Sequence, residues 1–204
     1  MAINYEFLEE KFGSKSELLL KSNPIHKKIP VLIHGDKPIC ESLIIVQYID
    51  EVWASGPSIL PSDPYDRALH RFWAAYIDDK LSLNVKELRT AEGEEAKQAA
   101  VERIAEGMAL LENALGKCGK GKPFFGGDNI GYLDIAFGSF LGWLRATEKL
   151  AGVTLFNEAK TPGLVAWADA FSSHEAVKDV IPKTDRLVEV AKMLKARFQS
   201  QSAN

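Results

Sequence analysis

The sequence predicts an α+β chain that is mostly α: a small N-terminal domain built on one β-hairpin, a linker, and an all-helical domain. Three observations carry this. Two short apolar runs, Val31-Leu32-Ile33 and Pro38-Ile39-Cys40, lie close together near the N-terminus with a turn between them. A stretch rich in Pro, Gly and Ser runs from Ala54 to Pro64 and is the clearest linker. Beyond it, apolar residues recur at three- and four-residue steps, the helical period. The boundaries expected are 1–53, 54–64 and 65–204. At 204 residues, 46% hydrophobic and 26% charged, the chain is ordinary for a globular protein and long enough for a sizeable core.

Taken in order, residues 2–8 alternate apolar and polar at Ile3, Tyr5 and Phe7, the pattern of a half-buried strand. Lys15 to Lys21 carries Leu18, Leu19 and Leu20 in a short helical or turn segment that Asn23-Pro24 ends. The two apolar runs form a hairpin around His34-Gly35-Asp36-Lys37. Pro30 stands at the first strand position, where a missing N–H is tolerated, and is a candidate cis proline. Ser42 precedes Leu43, Ile44, Ile45, Val46, Tyr48 and Ile49, so it is placed as a helix N-cap. The free N–H groups and positive dipole end there suit a carboxylate, and Glu41 beside them suits an ammonium. One turn then recognises both halves of an α-amino acid. Lys27 and Lys28 adjoin Ile29, whose backbone can pair with an extended peptide as an added strand does. Each piece alone also has a plain reading, as a helix cap, a solvated lysine pair or an ordinary strand start; their order is what points to a small-molecule site.

In the helical part, Leu69, Phe72, Trp73, Tyr76, Ile77 and Leu81 fall on one stripe, and Val101, Ile104, Met108, Leu111 and Leu115 on another, implying two long antiparallel helices. Glu92-Gly93-Glu94-Glu95 breaks them and supplies acidic residues to the second N-terminus. Gly116 to Lys122 reads as a flexible loop and lacks the GxxxxGK[ST] phosphate pattern. Residues 131–150 are apolar nearly all round and should form the buried helix. Gly131 is its N-cap, Asp134 its third helical residue, and Ile130 with Ile135 a hydrophobic staple; with Gly at the cap, the capping box is half made. Thr161-Pro162 starts a helix bearing Trp167 and Phe171, and Leu187, Val190, Ala191, Leu194 and Phe198 mark the last.

Charge and motifs exclude several function classes. A net charge of -3 gives no general attraction to nucleic acid or anionic membrane. Cys40 and Cys118 have no CxxC or metal spacing, the four histidines are scattered, and neither HExxH nor GxSxG occurs. No metal site, apolar leader or membrane-spanning run is read, and a reduced, cytoplasmic setting is expected.

KKIPVLIH followed by KPICESLIIVQYIDEVW, with Gly131-Tyr132-Leu133-Asp134 further on, resembles the cytosolic glutathione transferases, most closely the plant tau class. The resemblance implies a thioredoxin-like domain followed by an all-helical one, glutathione as co-substrate, no metal, and conjugation to small hydrophobic electrophiles in detoxification and stress response. It also implies a homodimer, or a heterodimer with family members. Carried over residue by residue, it assigns Ile29 to the glutathione cysteinyl backbone, Glu41 and Ser42 to the γ-glutamyl end, and Lys15 and Lys28 to the glycyl carboxylate. Pro30, as the cis proline, and Asp134, in the core-helix motif, are structural. Ser82, Lys86, Arg89 and Trp143 are electrophile-site candidates, unusually polar for that purpose. The family's catalytic serine lies in a strand-helix that precedes the segment matching Ile3–Phe7; that piece is expected to be missing, so the thioredoxin-like domain reads as N-terminally truncated and no catalytic residue is named. The alternative is a non-catalytic relative acting in ligand binding or subunit interaction.

Overall fold

The computed structural model describes residues 3–11, 13–53 and 56–202. They divide into two compact units, Met1–Ile59 and Leu60–Asn204. Of the residues expected in the elements above, Ala2, Ala54, Ser55 and the Phe198 side chain lie outside what is described.

The first unit contains α1 (Glu17–Ser22), β1 (Val31–His34), β2 (Lys37–Cys40) and α2 (Ser42–Trp53). Ser16 caps α1, its Oγ accepting from Leu19 N at 3.0 Å, while Glu10 accepts from Ser16 N at 3.0 Å. β1 and β2 pair antiparallel from Val31↔Cys40 to His34↔Lys37. The connection is therefore the two residues Gly35-Asp36, tighter than the four expected, and Gly35 takes the positive φ of 64° that a glycine-first hairpin turn requires. α2 packs on both strands through buried Ile45 and half-buried Leu43, Val46 and Tyr48.

Two expectations fail in this unit. Residues 3–10 form no strand, and Ile3, Tyr5 and Phe7 are 39%, 79% and 78% exposed. Alternation supplies the faces of a strand but not its ladder, which needs a neighbour's N–H and C=O groups; the described sheet is β1–β2 alone. Ser42 is not the cap of α2 but its first residue. The first turn closes from Ile45 N onto the Glu41 carbonyl at 2.9 Å, so Glu41 holds the cap position, at φ 70°.

The second unit is helical: α3 (Pro64–Tyr76), a π-helical turn (Ile77–Leu81), α4 (Ser82–Thr90), α5 (Glu94–Gly119), α6 (Tyr132–Ala151), α7 (Pro162–Ser173) and α8 (Thr184–Ser202). Asp63 caps α3, accepting from Tyr65 N and Asp66 N at 2.9 Å each. α3, the π turn and α4 run on as one rod whose inward face is His70, Ala74, Ile77, Leu81, Val85 and Leu88. Phe72 does not belong to that face and is 59% exposed: two residues from both His70 and Ala74, it points to the far side of a 3.6-residue turn.

α5 buries Ile104, Met108, Leu111 and Leu115 and continues through Gly116–Gly119, where a loop was expected. A Cβ on Gly119 would lie 2.6 Å from the Phe124 carbonyl oxygen, whereas one on Gly116 would meet open space, so Gly119 serves the close return of the chain. α6 is the central helix. Phe137 stacks on Trp167 of α7 at 4.6 Å and 15°, and Trp167 stacks in turn on Phe171 at 5.3 Å. α8 covers α6 with buried Leu187 and Val188, against Ala146 and Trp143. No helix among the described residues is long and apolar enough to cross a membrane.

Candidate functional site

The loop before β1 is built around Asn23, which is 3% exposed. Its Nδ2 donates to the Lys28 carbonyl at 2.9 Å, its Oδ1 accepts from His26 N at 3.1 Å, and its carbonyl accepts from Lys27 N at 2.8 Å. One buried side chain thus fixes residues 26–28, with Lys27 held at φ 53°. The next peptide bond, Ile29-Pro30, is cis. Ile29 is 63% exposed, and no hydrogen bond engages its N–H or C=O among the described residues. It presents one donor and one acceptor, the pair an extended peptide needs.

Glu41 closes the other side. Its carboxylate lies 3.6 Å from His26 Nε2, both groups about half exposed, so His26 ties the Asn23 loop to the start of α2. Glu41 and Ser42 are exposed there, and the N-terminus of α2 carries the positive end of the helix dipole. A non-glycine residue at positive φ is strained; here the strain sits at the residue expected to meet a ligand. Lys28 joins this group through its carbonyl. Lys15 does not: it is exposed just ahead of Ser16 and pairs with no carboxylate among the described residues. On the far side of the hairpin, His34 Nδ1 and Tyr48 Oη lie 2.8 Å apart and the His34 ring sits 4.6 Å from Trp53, securing β1 to α2. Asn23 and His26 were missed from sequence. An Asn-Pro after a helix reads as a stop signal, and nothing local reveals that the amide turns inward.

The glutathione S-transferase N-terminal domain model matches residues 1–51, and the C-terminal domain model residues 94–170. Glutathione S-transferase U18 of Arabidopsis thaliana is 58% identical over 200 residues, taking in 98% of this chain and 88% of that protein. The crystal structure of a tau-class glutathione S-transferase from mango, Mangifera indica, superposes with a TM-score of 0.90 at 67% identity, over 94% of this chain and 87% of that one. The chain belongs to the tau-class glutathione transferase family. Its fold is that of the family, a thioredoxin-like N-terminal part followed by a helical C-terminal part. Rice GST1, solved in complex with glutathione, is 36% identical with a TM-score of 0.86, over 96% of this chain and 87% of that one.

In this tau-class chain the remaining candidates lie on α4 and α6. Ser82, Lys86 and Arg89 are spaced by four and three residues, so they share one helix face. Ser82 Oγ donates to the Asp78 carbonyl, and Lys86 is exposed. The Arg89 guanidinium carbon lies 4.7 Å from the centroid of the Trp143 ring, so these two meet directly. Burial lowers the Arg89 pKa from its ordinary value.

Asp134 is fully buried and acts on structure. Its Oδ1 accepts from Phe125 N at 2.9 Å and Trp167 Nε1 at 2.8 Å; its Oδ2 accepts from Gly126 N at 2.8 Å and Gly131 N at 2.9 Å. Burial pushes its pKa up, while the four donors oppose the shift. The half-made capping box is thus enlarged into a hub that joins the 124–127 loop, α6 and α7. No group of His, Cys, Asp and Glu among the described residues is arranged to hold a metal ion.

Proposed function

We propose that this chain conjugates the thiol of glutathione to small electrophiles, as a cytoplasmic, dimeric enzyme of detoxification and stress response. In this reading residues 1–53 hold glutathione, 54–64 link, and 65–204 receive the electrophile. The Ile29 N–H and C=O pair with the cysteinyl backbone. Glu41 accepts from the γ-glutamyl ammonium, while Ser42 and the first N–H groups of α2 take its carboxylate. Lys28 and Lys15 approach the glycyl carboxylate, and Ser82, Lys86, Arg89 and Trp143 face the electrophile. With an aryl chloride, the glutathione thiolate forms a C–S bond as the C–Cl bond breaks and chloride leaves with the electron pair.

The observation that carries the reading is the exposed Ile29 backbone, unengaged beside a cis proline, with Glu41 at positive φ and its carboxylate 3.6 Å from His26 of the same loop. The test is calorimetric titration with glutathione, followed in the same sample by conjugation to 1-chloro-2,4-dinitrobenzene. Binding with turnover, both lost in Glu41→Ala, supports the enzyme. Binding without turnover would instead make the chain a non-catalytic ligand-binding relative.

A further inference from the structure

Arg89 is a half-buried cation with no carboxylate partner among the described residues. Its guanidinium rests on the Trp143 ring, 4.7 Å from the centroid, and an indole face has no lone pair to accept its five N–H donors. No hydrogen bond or ion pair engages those donors among the described residues. Burial alone lowers its pKa, with no acidic neighbour opposing the shift. Arg145 supplies the contrast. It stacks on Phe156 in the same way, at 4.5 Å, yet reaches Glu148 at 3.4 Å and Asp169 at 3.9 Å. Buried charges are normally paired, so the pattern at Arg145 is the ordinary one and that at Arg89 is the exception.

A second cation reinforces the exception. Lys86 precedes Arg89 by three residues, which makes the two neighbours on the α4 surface, and like charges so placed repel. Lys86 also lacks a carboxylate partner among the described residues. Trp143 is held in turn by Ala146, Leu187 and Val188, so the guanidinium sits on a fixed platform. A planar fork of N–H donors, held by an aromatic ring and followed by a second positive charge, matches a carboxylate or a similar oxyanion.

We infer that the Arg89–Trp143 pair selects electrophiles that carry an oxyanion, a carboxylate above all, with Arg89 as the specificity-determining residue and Lys86 in support. The inference rests on the reading that the α4 face receives the electrophile. It replaces the expectation of a purely apolar substrate with an aryl or alkyl electrophile bearing one negative charge.

The test uses the full chain and two matched probes, 4-chloro-3-nitrobenzoate and its methyl ester. Binding is measured calorimetrically without glutathione, and conjugation is then measured with it. Wild type should bind the carboxylate at least about tenfold more tightly than the ester, the scale of one charge-assisted hydrogen bond. Arg89→Gln should erase that preference, weakening carboxylate binding more than ester binding, while Arg89→Lys, which keeps the charge, should restore part of it. Equal binding of both probes by wild type overturns the inference, and so does equal loss of both in Arg89→Gln. Were that variant to misfold, the wild-type preference and the Arg89→Lys response still decide. Conjugation of neither probe, with Arg89-dependent carboxylate binding intact, would remove the transferase reading and leave this one standing. Normal conjugation of the ester without carboxylate preference would do the reverse.

Discussion

Replacing Asp134 by Asn changes almost no volume and removes the charge, so it isolates what the carboxylate does. Four N–H donors converge on its two oxygens, Phe125 N and Trp167 Nε1 on one, Gly126 N and Gly131 N on the other. An Asn side chain offers one oxygen and one NH₂. Whichever way it turns, two buried donors face a third donor and lose their acceptor. A hydrogen bond to a charged group contributes about 1.5–3 kcal/mol, so the variant should lose roughly 3–6 kcal/mol. That is a large share of the ~5–15 kcal/mol that holds a typical domain. At about 4 °C per kcal/mol for a unit of this size, the melting temperature should fall by roughly 12–24 °C. Urea unfolding followed by tryptophan emission reads mainly the right unit, because three of the four tryptophans, Trp73, Trp143 and Trp167, lie in Leu60–Asn204 and only Trp53 in the first unit. A loss below about 1 kcal/mol would mean that the four donors find other acceptors and that the carboxylate is not the hub.

Three further outcomes are expected. His70 is 2% exposed, its Nδ1 has no partner among the described residues, and burial lowers its pKa against the opposing field of Asp134. A base depressed in the folded state binds fewer protons there than when unfolded, so its stability is present above about pH 6.5 and is lost as pH falls through the lower folded value. His70→Phe should flatten the pH dependence of the urea midpoint in that range; an unchanged slope would count against it. Gly138→Ala places a Cβ 2.1 Å from ring carbons of Phe171, so it should destabilise the helical unit by about 1–3 kcal/mol or more through overpacking, measured by thermal melting. Glu41→Gly frees the φ of 70° while removing the carboxylate. It should leave the melting temperature unchanged or slightly raised, yet weaken glutathione binding in the calorimeter by at least about tenfold; equal binding would remove Glu41 from the site.

What the sequence made legible is what period and punctuation encode. The helical stripe of α5, the all-round apolar α6, Pro162 at the start of α7 and the hairpin around Gly35 each follow from a local rule, and each stands in the structure. Where reading failed, a neighbour distant in sequence decided. Ile3–Phe7 has the alternation of a strand but no ladder to join. Gly116–Gly119 continues α5 where a loop was expected, and Gly119 is there because Phe124 returns too close for a Cβ. Phe72 leaves its stripe because His70 and Ala74, two residues to either side, take the buried face.

The site shows the same division more sharply. Its legible members, Ile29, Pro30, Glu41 and Ser42, are contiguous pairs in a recognisable order, but the geometry that gives them meaning comes from residues read as punctuation. Asn23 spends both ends of its amide on the backbone of residues 26 and 28, leaving the next peptide, at Ile29, unengaged and exposed. Lys27 and Glu41, both non-glycine residues at positive φ, flank that peptide, and each costs on the order of 1–2 kcal/mol relative to an ordinary conformation. A short two-stranded unit has little stability in reserve for such strain, so it persists only where hydrogen bonds hold the loop. Asn23 holds one strained residue directly, through Lys27 N onto its carbonyl, and anchors His26, whose Nε2 lies 3.6 Å from the carboxylate of the other. The buried amide is therefore the support of this loop, and in the proposed reading the strain it carries is the cost of keeping a donor, an acceptor and a carboxylate aligned before glutathione arrives.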